Sequence, residues 1–212
     1  GYWTVYGILG LIYILIMVNL PLSTRDEVAI ALIFTDTSVL GLIFVGALVL
    51  LEKQQGVLQS LSVTPLKLDN YLFSKVISLT ILSAVISTSL WIIPLGTFKG
   101  YALLLSGVVL SSIVFTMFGI GFAAGAESFN QFLARIFIGS MIFSLPVIPM
   151  LFFKKTGWLV FLPSNAALDL FIRITKGTFS FLQLLDMMIL IIWVFIMRLF
   201  AKNQFHNYNL FN

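Results

Sequence analysis

The chain has 212 residues, of which 60% are hydrophobic and 9% are charged. A soluble domain carries about 25% charged residues, so this composition, with repeated apolar runs, predicts a polytopic helical membrane protein. The sequence has no cysteine and a single histidine, His206, which excludes disulfides, thiolate metal sites and multi-histidine metal sites. The net charge of +4 comes without a basic run and gives no indication of nucleic-acid binding.

The first predicted span covers residues 2–20 and ends at Pro21. A helix of this length is roughly 28 Å long, enough to cross the hydrocarbon core. Its first half is rich in aromatic side chains, as in the interfacial belt of a membrane protein. The chain begins with Gly1 already inside this apolar stretch, and we expect that a preceding segment is missing.

The second span has two interpretations, because Thr35-Asp36-Thr37 interrupts the apolar run from Val28 to Leu51. In the first, Asp36 caps a span over residues 37–51 and lies near the outer surface. In the second, Asp36 lies inside one long tilted span, where an ionisable residue is costly and usually functional. We favour the capping interpretation.

Three further spans are predicted over residues 70–93, 102–124 and 132–153. The span over residues 70–93, the third of the chain, is rich in hydroxyl groups, and its Ser83 and Ser87 lie one helical turn apart. Such a pair either faces a transport pathway or lets helices pack closely, and packing is the interpretation we favour. Pro146 and Pro149 interrupt the outer half of the fifth span.

A short helix and a sixth span complete the predicted elements. The helix, over residues 165–175, pairs Asp169 with Arg173 at i,i+4 and is too short and too charged to span the membrane. It is predicted to be re-entrant or to lie on the surface. The sixth span covers residues 181–200 and contains Asp186, which we expect to bond a neighbouring helix or to face an outer water-filled vestibule.

Residues 52–65 form the longest polar-bearing interval in the first half of the chain. Within it, Val57, Leu58 and Leu61 fall at helical spacing, which predicts a short amphipathic helix on a membrane surface. Gly56 loosens the start of this helix. Thr64 ends it, because a residue that precedes a proline avoids helical angles.

The amino-acid sequence of this interval resembles the first cytoplasmic loop of type-2 ATP-binding-cassette permeases, the membrane subunits of a class of exporters. The resemblance is carried by the pair Glu52-Lys53, the following glycine, a leucine-rich turn and Val-Thr-Pro-Leu at 63–66. Residues 34–41, Phe-Thr-Asp-Thr-Ser-Val-Leu-Gly, are similar to the small drug-export permeases of that family first described for fluoroquinolones. Val57 and Gln59 depart from the threonine and the acid that the family often has.

The resemblance implies an all-α integral membrane permease with six transmembrane helices, a cytoplasmic coupling helix between spans two and three, and a re-entrant helix before span six. It implies a non-catalytic subunit that forms the substrate pathway of a multidrug exporter in a prokaryotic plasma (inner) membrane. A separate ATPase subunit would carry ATP and Mg²⁺, and a second permease copy would complete a homodimer or heterodimer. The implied ATPase-coupling residues are Glu52, Lys53, Gly56, Leu58, Leu61, Val63, Thr64 and Pro65.

The sequence contains no phosphate-binding loop of the Gly-x-x-x-x-Gly-Lys-Ser/Thr type and no Gly-rich dinucleotide motif. We therefore expect no catalytic residue, cofactor-binding residue or metal ligand in this chain.

The alternative from another class of function is a self-sufficient, ion-coupled secondary transporter or channel that uses Asp36 and Asp186. Basic residues divide six against six between the two predicted sides, so charge does not decide orientation. The substrate is left open, although 21 phenylalanines suit a lipophilic cargo.

Overall fold

A computed structural model of the chain describes residues 2–95, 100–144, 157–175 and 181–208. These residues form helices and no strand, as the composition predicts. The elements in chain order are α1 (Tyr2–Asn19), α2 (Leu22–Val39), a π-helical segment (Leu40–Phe44), α3 (Val45–Gln54), α4 (Val57–Ser62), α5 (Leu68–Leu95), α6 (Tyr101–Ala124), α7 (Phe129–Ser144), a 3-10 turn (Gly157–Phe161), α8 (Pro163–Thr175) and α9 (Phe181–Asn207).

Four helical stretches in the described ranges are long and apolar enough to cross a membrane: Leu22–Gln54, Leu68–Ile92, Tyr101–Ala124 and Phe181–Asn207. The third, fourth and sixth predicted spans overlap the last three of these stretches. The apolar helix Tyr6–Asn19 is shorter, and α7 is described over 16 residues. Residues 145–153 of the fifth predicted span lie outside the described residues. The predicted count of six spans is therefore not confirmed.

The second span differs from the favoured interpretation. One continuous helix of 33 residues runs from Leu22 to Gln54 through α2, the π-helical segment and α3. Asp36 lies inside it with 2% of its surface exposed, so the predicted cap at Asp36 and the start of a span at residue 37 are wrong. The neighbouring hydroxyls explain the difference, because Thr37 and Ser38 bond back to the carbonyls of Ile33 and Phe34 and leave the helical backbone uninterrupted.

The central helix is α6, which packs against α2, the π-helical segment, α3, α5, α8 and α9. Its closest approach is to the π-helical segment, at Gly41 and Gly119. A Cβ atom on Gly41 would lie 2.7 Å from the Thr116 nitrogen, and one on Gly119 would lie 2.4 Å from the Leu42 carbonyl oxygen. Small residues let backbones approach closely inside lipid, where no hydrophobic force drives helices together.

The predicted short helix before the last span is confirmed as α8. One face buries Ala166, Leu170 and Phe171 against the rest of the chain. Arg173 donates to the Asp169 carboxylate at 2.6 and 2.7 Å, which is the i,i+4 pair that the sequence predicts. The helix has 13 residues and is too short to span a bilayer.

We predict that Gly119→Ala destabilises the fold, because its Cβ atom would meet the backbone of Leu42, which cannot rotate away. Overpacking of this kind costs about 1–3 kcal/mol. Gly10→Ala on α1 is the matched control, since no described atom lies within 4 Å of its Cβ position. Thermal unfolding in detergent, followed by circular dichroism, should show a lower midpoint for Gly119→Ala alone. Equal midpoints for both variants and the parent chain would contradict the close crossing.

Candidate functional site

The short helix α4 lies where the sequence predicts an amphipathic helix. It follows Gly56, whose φ of 72° is in the left-handed region that glycine adopts without a steric penalty. At its other end, the Thr64 hydroxyl donates to the Leu61 carbonyl at 2.6 Å, and Pro65 follows. The glycine and the Thr-Pro pair thus bound this helix, as expected. Its role in coupling stays a prediction.

The two faces of α4 differ sharply. Leu58 is 1% exposed and belongs to the core of the chain, whereas Val63, just after the helix, is 87% exposed. Val57, Gln59 and Ser60 are also exposed, and Leu61 is half-buried. The resemblance implied that Leu58 helps to seat the coupling helix; in the structure its side chain is buried in the chain's own core, and its role in coupling stays a prediction.

Glu52, at the end of α3, is bonded to α5. The Tyr71 hydroxyl donates to its Oε2 atom at 2.6 Å, and the Lys75 ammonium pairs with its Oε1 atom. The chain segment that carries α4 leaves from α3 and enters α5, so these bonds tie its two ends together. The polar contacts that the structure gives Glu52 are thus with Tyr71 and Lys75 of its own chain.

Lys53 joins α3 to the end of the central helix α6. Its ammonium donates to the carbonyls of Ala124 at 2.8 Å and Ala126 at 2.9 Å. The last carbonyls of a helix have no partner within the helix and carry partial negative charge, so a cation is favourable there. The Lys53 ammonium also lies 5.5 Å from the centre of the Tyr208 ring. Like Glu52, Lys53 is bonded within the chain, and the coupling role that the resemblance implies for both residues stays a prediction.

A third set of charges ties α5 to α9 at this same end of the molecule. Asp69 accepts from Arg198 at 3.0 Å and from Lys202 at 2.6 Å. These side chains are partly exposed, so each pair alone adds little stability. We call the whole set the α4 base, which consists of Glu52, Lys53, Asp69, Tyr71, Lys75, Arg198 and Lys202. It joins α3, α5, α6 and α9 at the end of α3 that leads into α4.

The remaining polar candidates fall into two separate groups inside the helical bundle. Asp36, Ser83 and Ser87 are almost completely buried, and Ser83 on α5 lies near the Asp36 carboxylate without a hydrogen bond to it. Asp186 is also buried, and its Oδ2 atom lies 3.8 Å from Arg173 Nε on α8. Of the two surroundings expected for Asp186, a neighbouring helix or a water-filled vestibule, the structure shows a neighbouring helix, because Arg173 on α8 lies within ion-pair distance.

No cluster of three or more His, Cys, Asp or Glu residues that could hold a metal ion occurs within residues 2–95, 100–144, 157–175 and 181–208. Sequence reasoning missed Asp69 and Tyr71 as members of the α4 base. The available signal was weak, because an acid at the start of a span is common on any membrane surface. Only the fold brings Asp69 beside Lys202, 133 positions further along the chain.

We predict that Lys53→Met loosens the α4 base. It would leave the end carbonyls of α6 without their cation, and a hydrogen bond to a charged group contributes about 1.5–3 kcal/mol. Lys67→Met is the matched control, because Lys67 is exposed at the same end of the chain. Thermal unfolding should show a lower midpoint for Lys53→Met than for Lys67→Met. An unchanged midpoint for Lys53→Met would show that its two carbonyl bonds do not hold α3 to α6.

Comparison with known proteins gives relatives of one kind. The chain is similar to the fluoroquinolones export permease proteins of two Mycobacterium tuberculosis strains, each 28% identical over 144 residues. The alignment covers 66% of this chain and 59% of each relative. No solved structure is significantly similar to it.

The model of the fluoroquinolones export permease protein family matches residues 3–211, which is nearly the whole chain. The match includes residues 34–75, where the sequence resembles small drug-export permeases most clearly. It also includes α4, the α4 base and both buried polar groups. The chain therefore belongs to the fluoroquinolones export permease protein family.

Proposed function

We propose that the chain is the membrane subunit of an ATP-binding-cassette exporter and that α4 docks onto a separate ATP-binding subunit. The observation that carries this proposal is the contrast between α4 and its base. Val57 on α4 and Val63 just after it are exposed, while Glu52 binds α5 and Lys53 binds the end of α6. An exposed apolar edge on a firmly held helix suits a contact that transmits force.

The exposed edge of α4 gives a partner something to bind. Val63 is 87% exposed, and burying a valine side chain completely contributes about 1.5 kcal/mol. A short amphipathic helix lying in a groove of a partner is a recurrent mode of recognition. The uncharged side chains of Gln59 and Ser60 lie on the same exposed region, so docking here would depend on shape and apolar contact more than on charge.

The α4 base explains how a push on α4 would reach the membrane-spanning helices. Leu58 is buried in the core, and the base contacts α3, α5, α6 and α9. Movement of α4 therefore displaces the ends of these helices together. In the proposed cycle, ATP binding closes the ATPase pair, and this shifts the permease between inward-open and outward-open states. Such a shift requires that ATP and cargo bind the two states with different affinities.

The proposal includes a second permease, either another copy of this chain or a related one, because two ATP-binding subunits need two docking helices. It also places the assembly in a bacterial plasma membrane, with α4 on the cytoplasmic side. The names of the relatives make fluoroquinolones the first cargo to test. ATP and Mg²⁺ would bind on the partner, since this sequence contains no phosphate-binding loop.

The ion-coupled alternative receives less support from the geometry. It needs two carboxylates that act in one pathway, whereas the Asp186 carboxylate already faces a cation, Arg173 Nε on α8, at 3.8 Å. Reconstitution separates the two functions, because an ion-coupled transporter works alone in liposomes. Cargo movement by the lone chain under a sodium or proton gradient, without ATP or a partner, would replace the exporter proposal.

We predict that Gly56→Pro and Val63→Asp each abolish coupling while the protein still inserts in the membrane. Proline fixes φ near −65°, whereas Gly56 has a φ of 72°. Val63→Asp places a charge on the apolar edge without touching the core. Fluoroquinolone efflux from cells that express the chain and its ATP-binding subunit should fall at least tenfold.

Asn70→Asp is the matched control for these variants, because it adds the same charge at an exposed position at the start of α5. Efflux by this control should remain normal, and the amount of each variant in the membrane should equal that of the parent chain. Normal efflux by Gly56→Pro and Val63→Asp would remove α4 from the coupling mechanism.

A further inference from the structure

Asp36 has an unusual environment for a carboxylate. It is 2% exposed, and neither of its side-chain oxygens has a hydrogen-bond partner among the described residues. A buried charge without a partner is very costly, and an ionisable group inside a membrane span is usually functional. The contrast within the chain is clear, because Glu52 binds Lys75 and Asp186 lies 3.8 Å from Arg173.

A row of unused polar groups on α5 begins at Ser83, which lies near the Asp36 carboxylate. Ser83, Ser87 and Trp91 follow one another at four-residue spacing along one face, and each is at most 1% exposed. Their side-chain polar atoms also lack a hydrogen-bond partner within the described ranges. Other hydroxyls on the same helix bond back to a carbonyl four residues earlier, as Thr88 and Ser89 do. The hydroxyls of Ser83 and Ser87 are thus left available to a ligand.

Helix α1 contributes aromatic groups to the same place. Tyr6 is 5% exposed, and its hydroxyl finds no hydrogen-bond partner in the part of the chain that the structure describes. Tyr6 and Tyr13 both lie within electrostatic range of Asp36. A carboxylate, free hydroxyls and tyrosine rings together are the chemistry that recognises an organic ammonium group.

The same helix provides a way to open the site. α1 packs against α2 and α5 at the edge of the bundle, and the Cβ positions of Gly7 and Gly10 meet no described atom within 4 Å. It is therefore not locked to its neighbours by a tight glycine crossing such as the one at Gly119. Asp36 is roughly 27 Å along the helix from Gln54, so the site lies in the half of the membrane remote from α4.

We propose that Asp36, Ser83, Ser87 and Tyr6 form a binding site for an organic ammonium cation, between α1, α2 and α5. One carboxylate matches the single charge of a protonated amine, and the hydroxyls accept its remaining N–H groups. A divalent metal ion fits poorly, since it needs six or more oxygen ligands, usually with several carboxylates. The inference rests on the proposed export function for its biological meaning, because the site would bind the amine of the cargo. Binding itself needs no ATP-binding subunit.

Calorimetric titration of the chain purified in detergent tests this site. The probe is benzylamine, which is protonated at pH 7, and benzyl alcohol is its uncharged counterpart. Saturable binding of one benzylamine per chain is expected, with no saturable binding of benzyl alcohol. Asp36→Asn should weaken benzylamine binding at least tenfold, and the double variant Ser83→Ala with Ser87→Ala should weaken it several-fold.

Ser111→Ala is the matched control. Ser111 is as buried as the two α5 serines, but its hydroxyl already donates to the Gly107 carbonyl at 2.7 Å. This variant should bind benzylamine like the parent chain. If Asp36→Asn does not fold, the double serine variant decides the question.

Three results would overturn the site: no saturable benzylamine binding by the parent chain, equal binding by the parent chain and the Asp36 or double serine variant, or binding of sodium ions in place of benzylamine. Failure of this site is distinguishable from failure of the exporter proposal. Loss of efflux in the α4 variants concerns coupling alone, while benzylamine binding is measured without ATP or a partner.

Discussion

The hydrogen bonds from Lys53 to the end of α6 are the interaction on which the rest of the structure depends. A single ammonium binds the carbonyls of Ala124 and Ala126 and so joins α3, which leads into α4, to the helix at the centre of the bundle. Glu52, the adjacent residue, binds α5 on the other side of the same segment. Two consecutive residues at the end of α3 therefore bind α5 and α6 immediately before the chain enters α4.

The close crossing of the π-helical segment and α6 extends this connection into the membrane. Gly41 and Gly119 bring the two backbones close together, which joins α6 to the long helix Leu22–Gln54 between the α4 base and Asp36. A π-helical turn inside an α-helix often marks a functional site. Here it lies between α4 at one end and the buried polar group at the other. Coupling between these two places would need no long chain of side-chain contacts.

Much of the architecture follows from the sequence because its cause is local. Long apolar runs predict α5, α6 and α9, and Gly56 and the Thr64-Pro65 pair predict where α4 begins and ends. The local sequence gave a wrong prediction at Asp36. Thr-Asp-Thr is typical of a helix cap, but the hydroxyls of Thr37 and Ser38 bond back to carbonyls of their own helix, which continues through Asp36. The internal contacts of Glu52, Lys53 and Leu58 were beyond sequence reasoning. Lys53 meets Ala124, 71 positions away, and only the folded chain brings them together.

A crosslinking measurement on α4 tests the central claim most directly. The chain has no cysteine, so a single Val63→Cys substitution can carry a benzophenone crosslinker at one known position in native membranes. The account predicts light-dependent capture of an ATP-binding subunit, identified by mass spectrometry, from Val63→Cys. It predicts no capture from Leu11→Cys, whose position is 62% exposed on the apolar surface of α1. Capture of no ATP-binding subunit from Val63→Cys, or equal capture from both positions, would contradict it.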